Sequence, residues 1–158
     1  MKLNKFKFIL YLFILGSCGF KPMLKNINLS ELNISEINYK GPSDLIFFTQ
    51  SNLPIKINQT GTTKKIINIS ITKSLEDKTK NSSGITTEEN MRINIMFEVI
   101  EKNKKTILKD QVEDYKVIGV TSNPSLDDDI RKKEQENMML NLIRKMSFII
   151  QARLTNQQ

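Results

Sequence analysis

The chain contains no histidine and no tryptophan, one cysteine, and only six glycines in 158 residues. Without histidine it lacks the commonest general base and the commonest metal ligand. One cysteine cannot close a disulfide within the chain, and no cysteine cluster is available for zinc. The glycines never gather into a phosphate-cradling loop. The usual metal and nucleophile constellations are therefore missing, and the chain reads as a non-enzyme with no metal and no dissociable cofactor. No apolar run is long enough to be a good membrane span. The run from Phe8 to Leu15 covers eight residues, against the roughly twenty that a spanning helix needs. A strong charge bias is absent too. Of the 24 basic side chains, Lys2, Lys5 and Lys7 lie ahead of that run, leaving 21 against 17 acidic ones. That balance is not that of a nucleic-acid binder, so no nucleic-acid partner is expected. The abundance of Ile, Asn and Lys reads as genome composition.

The front of the chain is where the informative residues begin. "MKLNKFKFILYLFILGSC" has a basic start, a short apolar run and then small residues, the layout of a secretory signal peptide over residues 1–17. Its last four residues, Leu15, Gly16, Ser17 and Cys18, resemble the bacterial lipobox. The resemblance implies that Cys18 takes a diacylglycerol on its thiol, becomes the first mature residue and then carries an N-acyl chain such as palmitate. Each buried methylene contributes about 0.8 kcal/mol, and one acyl chain alone holds only marginally, so two or three chains would hold the domain stably. Gly19 follows the cysteine where, by resemblance to enterobacterial lipoproteins, an Asp would favour inner-membrane retention; the resemblance thus implies the periplasmic side of the outer membrane.

Residues 18–33 read as a lipidated tether, and 34–158 as one domain large enough for a modest core. "ISEINYK" (34–40) alternates as a first strand. "GPSDL" gives a turn with Ser43 as an N-cap, and a short helix over 44–52 would pack Leu45, Phe48 and Phe47 until Pro54 stops it. In "KKIINISITKS" (64–74), Ile67, Ile69 and Ile71 share one face of a strand. "LEDKTKNSSG" then reads as an exposed loop. "TTEENMRINIMFEVIEK" (86–102) has the cleanest alternation, with Met91, Ile93, Ile95, Phe97 and Val99 on one face. "NKK" predicts a hairpin turn into "TILKDQVEDYKVIGV" (106–120), whose phase slips and suggests a bulge near Glu113. Ser125 with Asp128 suggests an approximate capping box for a closing helix over 126–154, about 43 Å long. Met139, Leu142, Ile143, Met146, Ile149 and Ile150 form its apolar stripe, while its first half carries only Ile130. The expected fold is α+β: a mostly antiparallel sheet of about four strands with one short and one long C-terminal helix on one face.

Two polar clusters remain. Asp127, Asp128 and Asp129 could suggest a metal site, but at a helix start they complement the dipole. Lys102, Lys104 and Lys105, with Lys109 nearby, crown the hairpin tip. They form either a solvated turn or a contact for lipid phosphates. "NQT", "NIS" and "NSS" match the glycosylation pattern by chance.

Together these features resemble the lipopolysaccharide-assembly lipoproteins of the Gram-negative outer membrane, the LptE family in its alphaproteobacterial form. "CGFKP" (18–22) looks like the family's opening. The order strand, helix, three strands, long helix is the family's order. "DYKVIGVTSNP" and "NLIRKMSFIIQARL" look like its last strand and helix, although the helix's first half has fewer alanines. The resemblance implies a plug inside a large outer-membrane β-barrel of the LptD type. Such a plug helps the barrel assemble and helps lipopolysaccharide reach the outer leaflet. The alternatives are an auxiliary lipoprotein of an ABC-type intermembrane lipid-transport complex and a structural outer-membrane lipoprotein.

Overall fold

The computed structural model describes Leu29 and residues 32–58, 65–101 and 105–155. The signal segment, Leu15 to Cys18, most of the tether, and Lys102 and Lys104 lie outside the described residues. The elements run β1 (Ile34–Lys40), α1 (Ser43–Asn52), β2 (Lys65–Lys80), β3 (Thr86–Glu101), β4 (Thr106–Gly119) and α2 (Pro124–Thr155). The four strands lie in the order β1-β2-β3-β4. β1 and β2 are parallel because α1 carries the chain back across; the other two pairs are antiparallel. This is the expected α+β fold, with the helices packed on the same core.

β3 sets the core. Met91, Ile93, Ile95, Phe97 and Val99 are all buried, because a period of two places them on one face of a central strand. Ile67, Ile69 and Ile71 flank them from β2, and Leu108, Val112 and Ile118 from β4. α2 covers this face with Met138, Met139, Leu142, Ile143, Met146, Ile150 and Leu154. The stripe is wider than the periodicity suggested, and Ile149 only half joins it. Removing a side chain such as Phe97 from so closed a core costs about 3–5 kcal/mol.

Several expectations need correction. Ser43 is the first helical residue, and Pro42 occupies the cap position with no side-chain hydrogen bond. Phe47 is 72% exposed, because Leu45 and Thr49, one turn apart, already take the inward face. Thr49 is buried without penalty, since its Oγ1 donates to the Leu45 carbonyl at 2.7 Å.

The loop expected after residue 74 is strand as far as Lys80. Its side chains look like loop because they are charged and exposed. β3 nevertheless offers a ladder, pairing Leu75 with Met91 and Glu76 with Asn90, with its register shifting on either side of Thr79. Lys78–Glu88 at 3.5 Å and Lys80–Asp77 at 3.0 Å supply the side-chain contacts there. The real turn is only Asn81–Gly84. Asn81 Oδ1 accepts from the Ser83 and Ile85 amides, and Gly84 takes a left-handed φ of 78°.

β4 pairs regularly around Glu113. Its irregularity lies at the other end, where Ile107 is skipped between the Val99–Leu108 and Ile100–Thr106 pairs. The apparent phase slip arises because inward positions 114 and 116 are Asp and Lys. The charged half of α2 meets them, with Lys116 Nζ 3.6 Å from Glu134.

α2 begins two residues early, at Pro124, and Asn123 caps it by accepting the Leu126 amide at 3.4 Å. The proposed Ser125–Asp128 box does not form. Asp127 is buried and accepts the Thr121 amide at 2.9 Å and hydroxyl at 2.8 Å. It therefore ties the β4–α2 loop down as well as complementing the dipole. Asp128 bonds Arg131, which reaches over to β3.

Candidate interaction surface

A sheet packed by helices on one side leaves the other side to solvent unless something else covers it. Here the outward positions carry Asn38 and Lys40 on β1, Asn68 and Ser70 on β2, Asn94, Met96 and Glu98 on β3, and Lys109 and Gln111 on β4. Between them lies a shallow groove of about 540 Å³. Asn38 Nδ2 donates to Asn68 Oδ1 at 3.1 Å across the parallel pair, and Thr106 donates to Glu98 at 2.7 Å. Met96 stands 46% exposed in the middle, and Tyr115 is 68% exposed farther along β4.

This face is polar with few net charges, which suits contact with another polar surface. Two of its amides are incompletely satisfied. The Oδ1 atoms of Asn90 and Asn94 are buried without a hydrogen-bond partner. Sequence reasoning missed them, although the alternation of "ENMRINIMFE" places both asparagines opposite the core face.

The helix-covered side is held by ions where α2 has run out of apolar residues. Arg131 Nε and a terminal nitrogen donate to Glu89 at 2.7 and 2.9 Å, and its other nitrogen to Asp128 at 2.8 Å. These carboxylates, Glu89 first, raise the guanidinium's pKa. Lys73 donates to Gln135, which donates to Asp44, so β2, α2 and α1 are linked in series. At the far hairpin end, hydrogen bonds from Lys80 and Thr86 hold the Asp77 carboxyl below its usual range, and Thr79 with Lys78 does the same for Glu88. Burial pushes the Tyr39 phenol up.

Of the hairpin lysines, Lys105 is described. It is exposed, and its carbonyl accepts the Glu101 amide at 3.0 Å. Lys109 stands across from Glu98 on the open face, so acids temper the positive charge near the tip. Among the described residues no group of three His, Cys, Asp or Glu side chains could hold a metal ion. No helix among them is long and apolar enough to cross a membrane.

No protein-family pattern matches the chain, and no curated protein matches it at a significant level. Solved structures do. The rare lipoprotein B from Shewanella oneidensis superposes with a TM-score of 0.59 at 10% identity, covering 78% of this chain and 100% of that one. This chain has a fold that bacterial lipoproteins use. A lipoprotein B from Nitrosomonas europaea gives 0.54 at 11% identity, over 78% and 84% of the two chains. A Caulobacter crescentus protein described as a lipoprotein gives 0.50 at 11%, over 77% and 92%. At such identities the likeness is one of fold.

Proposed function

We propose that the chain is an outer-membrane lipoprotein, anchored through acylated Cys18, that plugs a large β-barrel of the LptD type. In that role it helps the barrel assemble and helps lipopolysaccharide enter the outer leaflet, without catalysing a reaction. The observation that carries the reading is the junction of "LGSC–GFKP" with a domain whose fold lipoproteins share. The open sheet face adds physical support. A plug must fit a polar barrel lumen, and this face offers amides and hydroxyls such as those of Asn38, Asn68, Ser70 and Gln111. The rigid four-stranded core suits a part that must keep its shape inside another protein.

The test is isolation of the acylated protein in mild detergent, followed by identification of what accompanies it. A large outer-membrane barrel is expected, together with reduced surface lipopolysaccharide on depletion. An inner-membrane permease or a substrate-binding partner would place the chain in an ABC-type complex instead. Normal surface lipopolysaccharide after depletion would leave only a structural role. Cys18→Ala is expected to abolish palmitate labelling. The hairpin lysines are assigned to lipid phosphates, and changing Lys102, Lys104 and Lys105 to Ala is expected to weaken lipopolysaccharide binding; unchanged binding refutes that assignment.

A further inference from the structure

A second surface, away from the open sheet face, lies along the β1 edge. After α1, the chain from Leu53 to Asn58 returns beside β1, and the Asn58 amide donates to the Ile34 carbonyl at 2.7 Å. Between that segment and the strand is an apolar groove of about 280 Å³. Ile37, Tyr39, Leu53, Ile55 and Ile57 line it together with Gln50. Ile57 is 54% exposed. Phe47, 72% exposed, lies three residues before Gln50 and so on the same face of α1. Among the described residues no carboxylate lines the groove, and exposed Lys56 sits between Ile55 and Ile57. Ile37, Tyr39, Leu53 and Ile55 pack their inner sides against the core, which leaves Phe47 and Ile57 as the apolar side chains that the core does not cover.

What covers it follows from where the chain begins. Ile34, bonded to Asn58, is five residues past Leu29, and Leu29 is fully buried in the domain. Eleven residues separate Leu29 from Cys18, a reach of at most about 40 Å when fully extended. The groove therefore lies along the strand at which the tether joins the domain. We propose that Phe47, Ile57 and the groove between them dip into the bilayer interface that holds the anchor, with Lys56 toward the lipid phosphates. This rests on the lipoprotein reading above. Apolar side chains beside a basic one, presented at the membrane level, are the chemistry of an interfacial contact. The contact would fix the orientation of the domain on its tether, turning the open sheet face toward a partner.

The absence of tryptophan makes the test clean. Phe47→Trp and Ile57→Trp each place one indole in the full acylated protein, at exposed positions that tolerate it. Tyr115→Trp places one on β4, at the opposite edge of the sheet. Each variant is reconstituted in phosphatidylethanolamine–phosphatidylglycerol vesicles whose acyl chains are brominated. The two β1-side indoles are expected to be quenched at least about twofold more than the one on β4, as burial 5–10 Å into the interface requires. Equal quenching at all three sites, or none at 47 and 57 while the protein still floats with the vesicles, overturns the contact and leaves the anchor standing. Failure to float overturns both. Emission at 47 and 57 that is unmoved by lipid but shifts when a barrel protein is added assigns the surface to a protein partner and refutes the proposal.

Discussion

Arg131 is the most informative single side chain to remove. It lies where α2 has become charged, and its nitrogens hold Glu89 on β3 through two hydrogen bonds and Asp128 through a third. The Glu89 side chain is 13% exposed and that of Arg131 25%. Glu89 also stands opposite Asp77 in the β2–β3 ladder, so without the guanidinium two carboxylates face each other on one side of the sheet. Exposed ion pairs contribute up to about 1 kcal/mol, and breaking a buried one costs about 3–5. The pair here falls between, so Arg131→Met is expected to cost about 2 kcal/mol, or roughly 6–8 °C in Tm for a domain of this size. Glu89→Gln alone should cost less, because the guanidinium keeps Asp128 and water. Urea unfolding of the two single variants and the double variant, followed by circular dichroism, gives the coupling. A double variant no worse than Arg131→Met is expected, with a coupling of about 1–2 kcal/mol. A loss under about 0.5 kcal/mol for Arg131→Met, or additive singles, would refute the view that this pair clamps α2 to the sheet.

The Ser147 hydroxyl is buried in α2 without a hydrogen-bond partner, so Ser147→Ala should raise stability by about 1 kcal/mol, seen as a higher urea midpoint. Gly41 sits at φ 147°, where a Cβ would lie 2.5 Å from the Ile71 carbonyl oxygen; Gly41→Ala should cost about 2–3 kcal/mol as β1 and β2 are forced apart. On the free edge strand β4, the Gln111 and Tyr115 amides donate to the Asp110 and Asp114 carboxylates. Changing both acids to Ala uncovers that edge and should produce concentration-dependent association in sedimentation with little loss of stability. Asp77 and Glu88 have lowered pKa values from ordinary ones of 3.8 and 4.5. Their contribution is thus complete above those ordinary values and lost as pH falls through the lowered ones. Protection factors at the far end of the β2–β3 hairpin, corrected for the intrinsic slowing of amide exchange in acid, should therefore fall as pH drops below those ordinary values while the core stays protected.

What the chain alone determined is what depends on near neighbours. Alternation over 91–99 marks the central strand and the core face, because a strand's period of two needs no partner to be read. The spacing from Met139 to Ile150 marks the packing half of α2, because 3.6 residues per turn is equally local. The layout of a signal peptide and the resemblance of "LGSC" to a lipobox are read locally in the same way, and both lie outside the described residues. Tertiary structure decided whatever depends on a distant partner. Residues 75–80 are strand only because β3 lies beside them, and of their charges, which look like a loop's, Lys78 pairs across the ladder with Glu88 while Lys80 pairs with Asp77 along the strand. Phe47 is exposed because Leu45 and Thr49 win the inward face of α1, which only the position of the sheet fixes. Asp127 is buried because Thr121 meets it after the chain turns. The β1 groove and the open amide face exist because the helices cover one side of a sheet and leave an edge and a face behind. No local pattern encodes which side that is, since burial is settled by the packing of the whole.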